Sequence, residues 1–263
     1  MSKGAAWRAA CFVLALAALG GRPAFAADFT SEQVRGTLSH AKDAGRAADF
    51  AGKSLEGLDL SHLDFSGANL AAADLSRAKL VDSNFAGADL SGARLDLAWV
   101  IRANFAGARL SGASLQGLVV SMGLETSAAQ APIFAGADLS GARIIARLDW
   151  ANMKGARLVA ARMGADMKNQ SMGLMRAELS SADLDGADLT GADLSRALLR
   201  FSKLRGARLT GADLARADLS GADLTGADLT GAEVTGADFG RAVLTGATGL
   251  AQMKGKPLNL SAP

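Results

Sequence analysis

Carboxylates are the most numerous side chains in this sequence that could do acid–base chemistry, and they recur at a fixed spacing. The chain has 26 Asp and Glu residues, and Asp193, Asp213 and Glu233 lie twenty residues apart. Catalytic carboxylates need a cleft that shifts their pKa. Two charges about 4.8 Å apart in water repel by only ~0.9 kcal/mol, so a surface ladder of carboxylates is tolerated without a catalytic role. We therefore interpret these residues as structural.

Histidine and cysteine offer little further chemistry. The two histidines, His40 and His62, have no partners at a metal-ligand spacing. The one cysteine, Cys11, lies in an N-terminal apolar run, so no thiol nucleophile or Cys-based metal site is expected. A Ser-His-Asp spacing and a Gly-rich loop before a helix are both lacking. The sequence predicts a protein that is not an enzyme and needs no cofactor.

A methionine cluster is the one feature that favours metal binding. Thioether sulfur is a soft ligand that suits Cu(I). Several of these methionines also hold the repeat position normally taken by Leu, so filling of an irregular core is the alternative. The cluster consists of Met153, Met163, Met167, Met172 and Met175.

The N-terminus has the pattern of an export signal over residues 1–26. Lys3 and Arg8 precede an apolar run over 9–20. Residues 24–26 are Ala-Phe-Ala, which resembles a cleavage site. The run is shorter than the ~20 residues that span a bilayer, although an uncleaved anchor is the alternative. We expect a periplasmic protein that begins at Ala27, with secretion as the alternative and no stable membrane insertion after cleavage.

Removal of this leader changes the charge balance. The whole chain carries 28 basic and 26 acidic residues, a net +2. Because Lys3, Arg8 and Arg22 leave with the leader, 25 basic residues remain against 26 acidic ones, a net −1. A chain near neutrality does not predict a nucleic-acid partner.

An apolar residue recurs at every fifth position from Phe50 to Val120, usually with Ala two residues before it. The same unit returns between Leu179 and Leu244 as Ala-Asp-Leu-Thr/Ser-Gly. A period of five fits neither the 3.6 residues of a helix turn nor the two-residue alternation of a strand. The pattern therefore predicts a backbone that turns a corner every five residues.

A second period of twenty aligns Phe65, Phe85 and Phe105, which we expect to stack in one inward column. Four five-residue sides would then form one coil, with coils about 4.8 Å apart. The A(D/N)Lxx unit resembles the pentapeptide-repeat proteins over most of residues 47–249. The resemblance implies an all-β fold, a right-handed quadrilateral β-helix, with about nine coils and a length on the order of 45 Å.

The repeat is interrupted in its middle part. The pattern resumes nine residues late after Val120, which predicts a looped-out insertion near residues 121–132. Ile144 steps four residues to Leu148, and Met163 steps four to Met167, so two coils each look one residue short. Around residues 170–176 the register slips again, and the sequence does not assign faces across that point.

Both ends of a solenoid expose strand edges that must be covered. Residues 27–46 predict an N-terminal capping region whose short helix spans about 31–43, with Thr30 and Gln33 as its capping box. At the other end, residues 250–263 could cover the last coil, fray, or give way to a second copy of the protein.

An apolar stripe on the outer surface is the best functional lead. Trp99 and Val119 occupy the outward position that is usually Asp, and Val81 and Ile101 stack beside them. Exposed, these four residues would mark a site for a protein partner. The alternative is that the insertion at 121–132 folds back over the stripe.

Together these observations favour an exported, non-enzymatic scaffold that binds a protein partner through a solenoid face. Copper binding through Met153–Met175 is the alternative function. Some pentapeptide-repeat proteins resemble DNA and bind type II topoisomerases, which requires a strongly acidic cytosolic rod, so the leader and the near-zero charge argue against it. The resemblance also implies that a homodimer through a solenoid end is an option.

Overall fold

The backbone turns a corner every five residues and returns above its own path after four sides. In this computed structural model Asp49 pairs in parallel with Asn69, Asn69 with Asp89, and Asp89 with Arg109. Backbone hydrogen bonds join the paired segments; for example, the Phe50 N–H donates to the Asn69 carbonyl at 2.8 Å. The chain is thus a four-sided all-β solenoid, and its right-handed sense stays a prediction.

The structure describes residues 27–123, 126–165 and 175–260, so the leader and parts of both interruptions lie outside it. Helix α1 spans Ser31–Asp43, strand β1 spans Ser114–Gln116 and strand β2 spans Arg143–Ile145. A 3-10 helix follows at Leu250–Gln252. Within the described ranges, no helix has the length and apolar character needed to cross a membrane.

Many corners are closed by the side chain three positions before the left-handed corner residue. The Asp64 carboxylate accepts a hydrogen bond from the Ser66 backbone N–H at 3.1 Å, which closes the turn. The next residue, Gly67, has φ 65°, a left-handed conformation that glycine adopts without steric cost. The frequent Asp and Gly of the repeat are therefore turn residues.

The core alternates large and small side chains. The Leu and Phe positions and the Ala positions two residues earlier are nearly all fully buried. The rings of Phe65, Phe85 and Phe105 stack with centroids 4.7 and 5.0 Å apart, as predicted, and Phe134 continues the column at 5.0 Å. The column continues across the first insertion, which therefore leaves the core intact.

The first interruption has the predicted form. Asn104 pairs with Ile133, twenty-nine residues on, so nine residues beyond the normal twenty leave the coil. The next coil is one residue short, since Asp138 pairs with Arg157 nineteen residues on. Next to the side that lacks one residue, β1 and β2 pair in parallel, with Ser114 opposite Arg143.

The second interruption differs from the sequence prediction. Arg147 pairs with Glu178, thirty-one residues on, and the fully buried Leu179 takes the inward place next after Met163. The prediction that Met167 takes this place is wrong. Met167 itself lies outside the described residues. The repeat constrains only residues that pair with a neighbouring coil at the regular interval, and across this interruption the interval is longer.

Both ends of the described solenoid are covered, though unequally. Helix α1 coincides with the predicted helix, has the Thr30–Gln33 capping box, and buries Val34 and Ala41 against the first coil. Phe29, just before the helix, meets Phe50 edge-on at 5.7 Å. At the other end the tail keeps pairing, as where Asp238 pairs with Leu258, but Leu258 stays 52% exposed.

Candidate partner-binding surface

The apolar stripe lies on one of the four sides of the solenoid, which we call the stripe face. Its outward column forms by parallel pairing of Lys79 with Trp99 and of Trp99 with Val119. After the first insertion the same side resumes with the pair Arg147 and Glu178. The buried residues that define the stripe face are Leu60, Leu80, Val100, Val120, Leu148, Leu179, Leu199, Leu219 and Phe239.

Three of the four stripe residues reach the surface. Trp99 is 37% exposed, and Val81 and Val119 are half-buried. Met122, in the first insertion, is 69% exposed and lines the same groove as Trp99 and Val81. The structure therefore brings Val81 and Trp99 together at one accessible place.

Ile101 is the exception, because it is fully buried. The first insertion returns past this corner, where the Gln130 carbonyl accepts a hydrogen bond from the Arg102 N–H at 2.9 Å. The expectation that Ile101 lies exposed in the stripe is therefore wrong. The insertion runs past the corner beside Ile101 and leaves Trp99 accessible.

Ion pairs border the stripe. Arg102 donates two hydrogen bonds to the Asp82 carboxylate, both of 2.6 Å, and this guanidinium lowers the pKa of Asp82. On the other side, the Lys79 ammonium lies 3.8 Å from Asp59. An apolar centre with a charged rim is the usual anatomy of a protein–protein interface.

Two further aromatic residues on the stripe face were missed by the sequence analysis. Trp150 is 47% exposed and Phe201 is 66% exposed, each at the corner that follows an inward residue of this face. The Phe201 ring lies over Gly221 in the next coil, where a Cβ would come within 2.6 Å of it. The exposed aromatic side chains of the described ranges, Trp99, Trp150 and Phe201, thus share one side.

The signal for these two residues is present in the repeat. Over the whole repeat the corner position holds Gly more often than any other residue, and a bulky aromatic residue there has φ 64° at Trp150 and φ 56° at Phe201. A left-handed conformation is unfavourable for such residues. Exposed aliphatic residues also occur on other sides, at Leu97, Ile133 and Val243, so the aromatic residues distinguish the stripe face.

The described methionines of the cluster do not share one surface. Met153 and Met163 are fully buried in the core, where they replace Leu, and Met175 is 38% exposed. Met167 and Met172 lie outside the described residues. Any copper site would have to form without the two core methionines, because a metal ion could not reach them.

The carboxylate ladder forms as predicted, through pairing of Asp193 with Asp213 and of Asp213 with Glu233. Each accepts a hydrogen bond from a turn N–H, at 3.0, 2.9 and 2.9 Å respectively. Hydrogen bonds from the Thr235 side chain and backbone lower the pKa of Glu233. A general acid needs the opposite shift. Across the described ranges, no group of His, Cys, Asp and Glu side chains could hold a metal ion.

Comparison with protein-family models gives eight matching copies of pentapeptide repeats. They cover residues 46–77, 68–100, 78–117, 174–211, 192–231 and 207–246. The chain belongs to the pentapeptide-repeat family. The unmatched stretch between 117 and 174 holds both interruptions, where the pairing interval departs from twenty residues.

Solved structures of other pentapeptide-repeat proteins resemble this one. HetL, involved in heterocyst differentiation regulation in the cyanobacterium Nostoc, is 32% identical, with 81% of this chain and 92% of HetL covered and a TM-score of 0.29. Rfr23 from the cyanobacterium Cyanothece 51142 is 24% identical, with 59% and 89% covered and a TM-score of 0.33. QnrB1, a plasmid-mediated fluoroquinolone resistance protein, is 21% identical, with 80% and 86% covered and a TM-score of 0.38. Curated proteins gave no match.

Proposed function

We propose that this pentapeptide-repeat protein is an exported, non-enzymatic scaffold that binds a protein partner through the stripe face. The observation that carries the proposal is the clustering of Trp99, Trp150 and Phe201 on one side of the solenoid. Exposed aromatic residues are enriched at interface centres, where they bury a large area for little loss of conformational freedom.

The non-enzymatic part of the proposal is supported by the interior and the carboxylates. Side chains fill the described coils, and the carboxylates serve as turn acceptors. Pentapeptide-repeat proteins are generally non-enzymatic, which agrees with the proposal of a non-enzymatic scaffold. Export is supported by the pattern of residues 1–26.

The test is capture of the tagged full chain, after chemical cross-linking, from the compartment to which it is exported. The test variant is Trp99→Asp with Phe201→Gly, which restores at each position a residue common in this repeat and should therefore fold. The matched control is Val243→Asp, the same kind of change at the same repeat position on another side, where Val243 is 45% exposed. We expect the test variant to lose its partner at least tenfold and the control to keep it.

Two outcomes would contradict the proposal. Equal capture by the test variant and the original chain would show that the stripe face does not bind the partner. Equal loss in the test variant and in Val243→Asp would show that the partner is not recognised by this face. Circular dichroism of each purified variant shows that the fold is retained.

A further inference from the structure

A groove runs along helix α1, between the helix and the first coils, and we call it the basic trough. It consists of two adjoining hollows with volumes of about 550 and 640 Å³ that share Arg35 and His62. Ser31, Arg35, Lys42 and Arg46 follow one side of α1 and its end. At 1.5 Å per residue, the thirteen residues of α1 make the trough about 20 Å long.

Cations outnumber acids in the trough. Arg35, Lys42, Arg46 and Lys79 line it against Asp59 and Asp64, so four positive charges face two negative ones, with His62 left out of the count. Hydrogen bonds from Ser61 lower the pKa of Asp59, and a hydrogen bond from Ser66 lowers that of Asp64, so both stay ionised near neutrality. The trough therefore has a local surplus of two positive charges, although the chain without its leader has a net charge of −1.

Two of these cations are free to bind an external group. Lys79 pairs with Asp59, and Lys42 acts on Asp64. Neither Arg35 nor Arg46 has an ion pair within the part of the chain that the structure describes, and both are exposed. A guanidinium presents a planar fork of donors that fits a carboxylate in two hydrogen bonds.

The far end of the trough is apolar. The hollow that holds Arg35 and Lys79 is also lined by Val81, Trp99 and Met122. An occupant therefore meets positive charge along α1 and an aromatic surface where the trough reaches the stripe face.

We propose that the basic trough binds an extended acidic peptide segment of the partner, with an apolar side chain of that segment on Trp99. At about 3.3 Å per residue, six or seven residues of extended peptide fit the length of the trough. The proposal rests on the proposed function, because Trp99 belongs to both surfaces. A membrane surface fits less well, since it needs apolar groups that project outward, whereas these line a hollow.

The test uses fluorescence anisotropy with a labelled ten-residue peptide of Asp, Glu and Ser carrying one Phe near an end. The test variant is Arg35→Glu with Arg46→Glu. The matched control is Arg208→Glu with Arg216→Glu, which changes the net charge equally at exposed arginines on sides of the solenoid other than the stripe face. We expect the Kd of the test variant to rise at least tenfold, and that of the control less than twofold. A peptide with Gln in place of Asp and Glu should bind at least tenfold more weakly.

The inference fails if the acidic peptide does not bind, if the neutral peptide binds equally well, or if both double variants weaken binding equally. It also fails if a twelve-base single-stranded DNA or phosphatidylglycerol vesicles bind more tightly than the peptide and lose binding in the test variant. If the Arg35 and Arg46 variant keeps the captured partner while the Trp99 and Phe201 variant loses it, the trough inference falls and the proposed function stands. If the Trp99 and Phe201 variant keeps the partner, the proposed function itself fails.

Discussion

The inward phenylalanines show how a single repeat position sets local geometry. Phe85 stacks between Phe65 and Phe105, with interplanar angles of 4° and 8°. The strand-pairing distance between coils is also about the optimal separation of stacked side chains. One residue type repeated every twenty positions therefore packs against itself without a void.

Substitution of Phe85 tests this packing at the scale of one residue. We expect Phe85→Ala to lower the free energy of unfolding by ~3–5 kcal/mol, because it leaves a cavity in a fully buried column. Phe201→Ala is the control, since Phe201 is 66% exposed, and its loss should stay below ~1 kcal/mol. Urea titration followed by circular dichroism measures both. Similar losses in the two variants would show that the column does not carry the stability argued for it.

At the scale of the element, helix α1 has a role that the repeat cannot fill. The first coil would otherwise expose apolar side chains, and α1 covers them with Val34 and Ala41. The same helix forms one wall of the basic trough. The end cap thus creates a groove between the helix and the first coils.

The capping box of α1 gives a test of this element. Thr30→Ala removes the hydroxyl that accepts a hydrogen bond from the Gln33 N–H at 3.2 Å, and should cost about 1 kcal/mol. Amide hydrogen exchange in α1 should then speed up by about fivefold, with little change in the coils. Thr37→Ala is the control, because Thr37 lies inside α1 and Ala favours a helix. Equal protection of α1 in Thr30→Ala and the original chain would refute the role of the cap.

At the scale of the whole molecule, the carboxylates act together through the turns they close. Hydrogen bonds from the residue two positions on, led by its side chain, lower the pKa of Asp59, Asp89, Asp228 and Glu233. A carboxylate whose pKa is lower in the folded state stabilises that state above its unfolded pKa. This stabilisation is lost as the pH falls through the folded value.

The solenoid should therefore lose stability in acid. The ordinary pKa values are 3.8 for Asp and 4.5 for Glu, so the free energy of unfolding should be flat at pH 6 to 7 and fall as the pH drops below them. The control replaces Asp59, Asp89 and Asp228 by Asn, which can close the same turn, as Asn84 does with Ala86 at 3.2 Å. Urea titrations at several pH values should give this variant a shallower decline. An unchanged decline would show that these carboxylates are not its source.

The sequence alone predicted the coil, the inward residues and the helical cap. Phe65, Phe85 and Phe105 stack as their spacing required, and Thr30 caps α1 at the predicted residue. These features depend on pairing or hydrogen bonding at fixed intervals along the chain. Trp150 and Phe201 also lie at a fixed repeat position, the corner that often holds Gly. Their exposure on the stripe face follows from that position, although the sequence analysis did not predict it.

The tertiary structure decided what covers the surface. Ile101 is buried at the corner where the first insertion returns, while Trp99 stays exposed. Leu179 rather than Met167 follows Met163, because the pairing interval there is thirty-one residues. The basic trough likewise exists only where α1 packs against the first coils. A repeat fixes residues that pair with their own copies twenty positions away. Contacts made by an insertion or a cap join unlike segments, and no periodicity in the sequence encodes them.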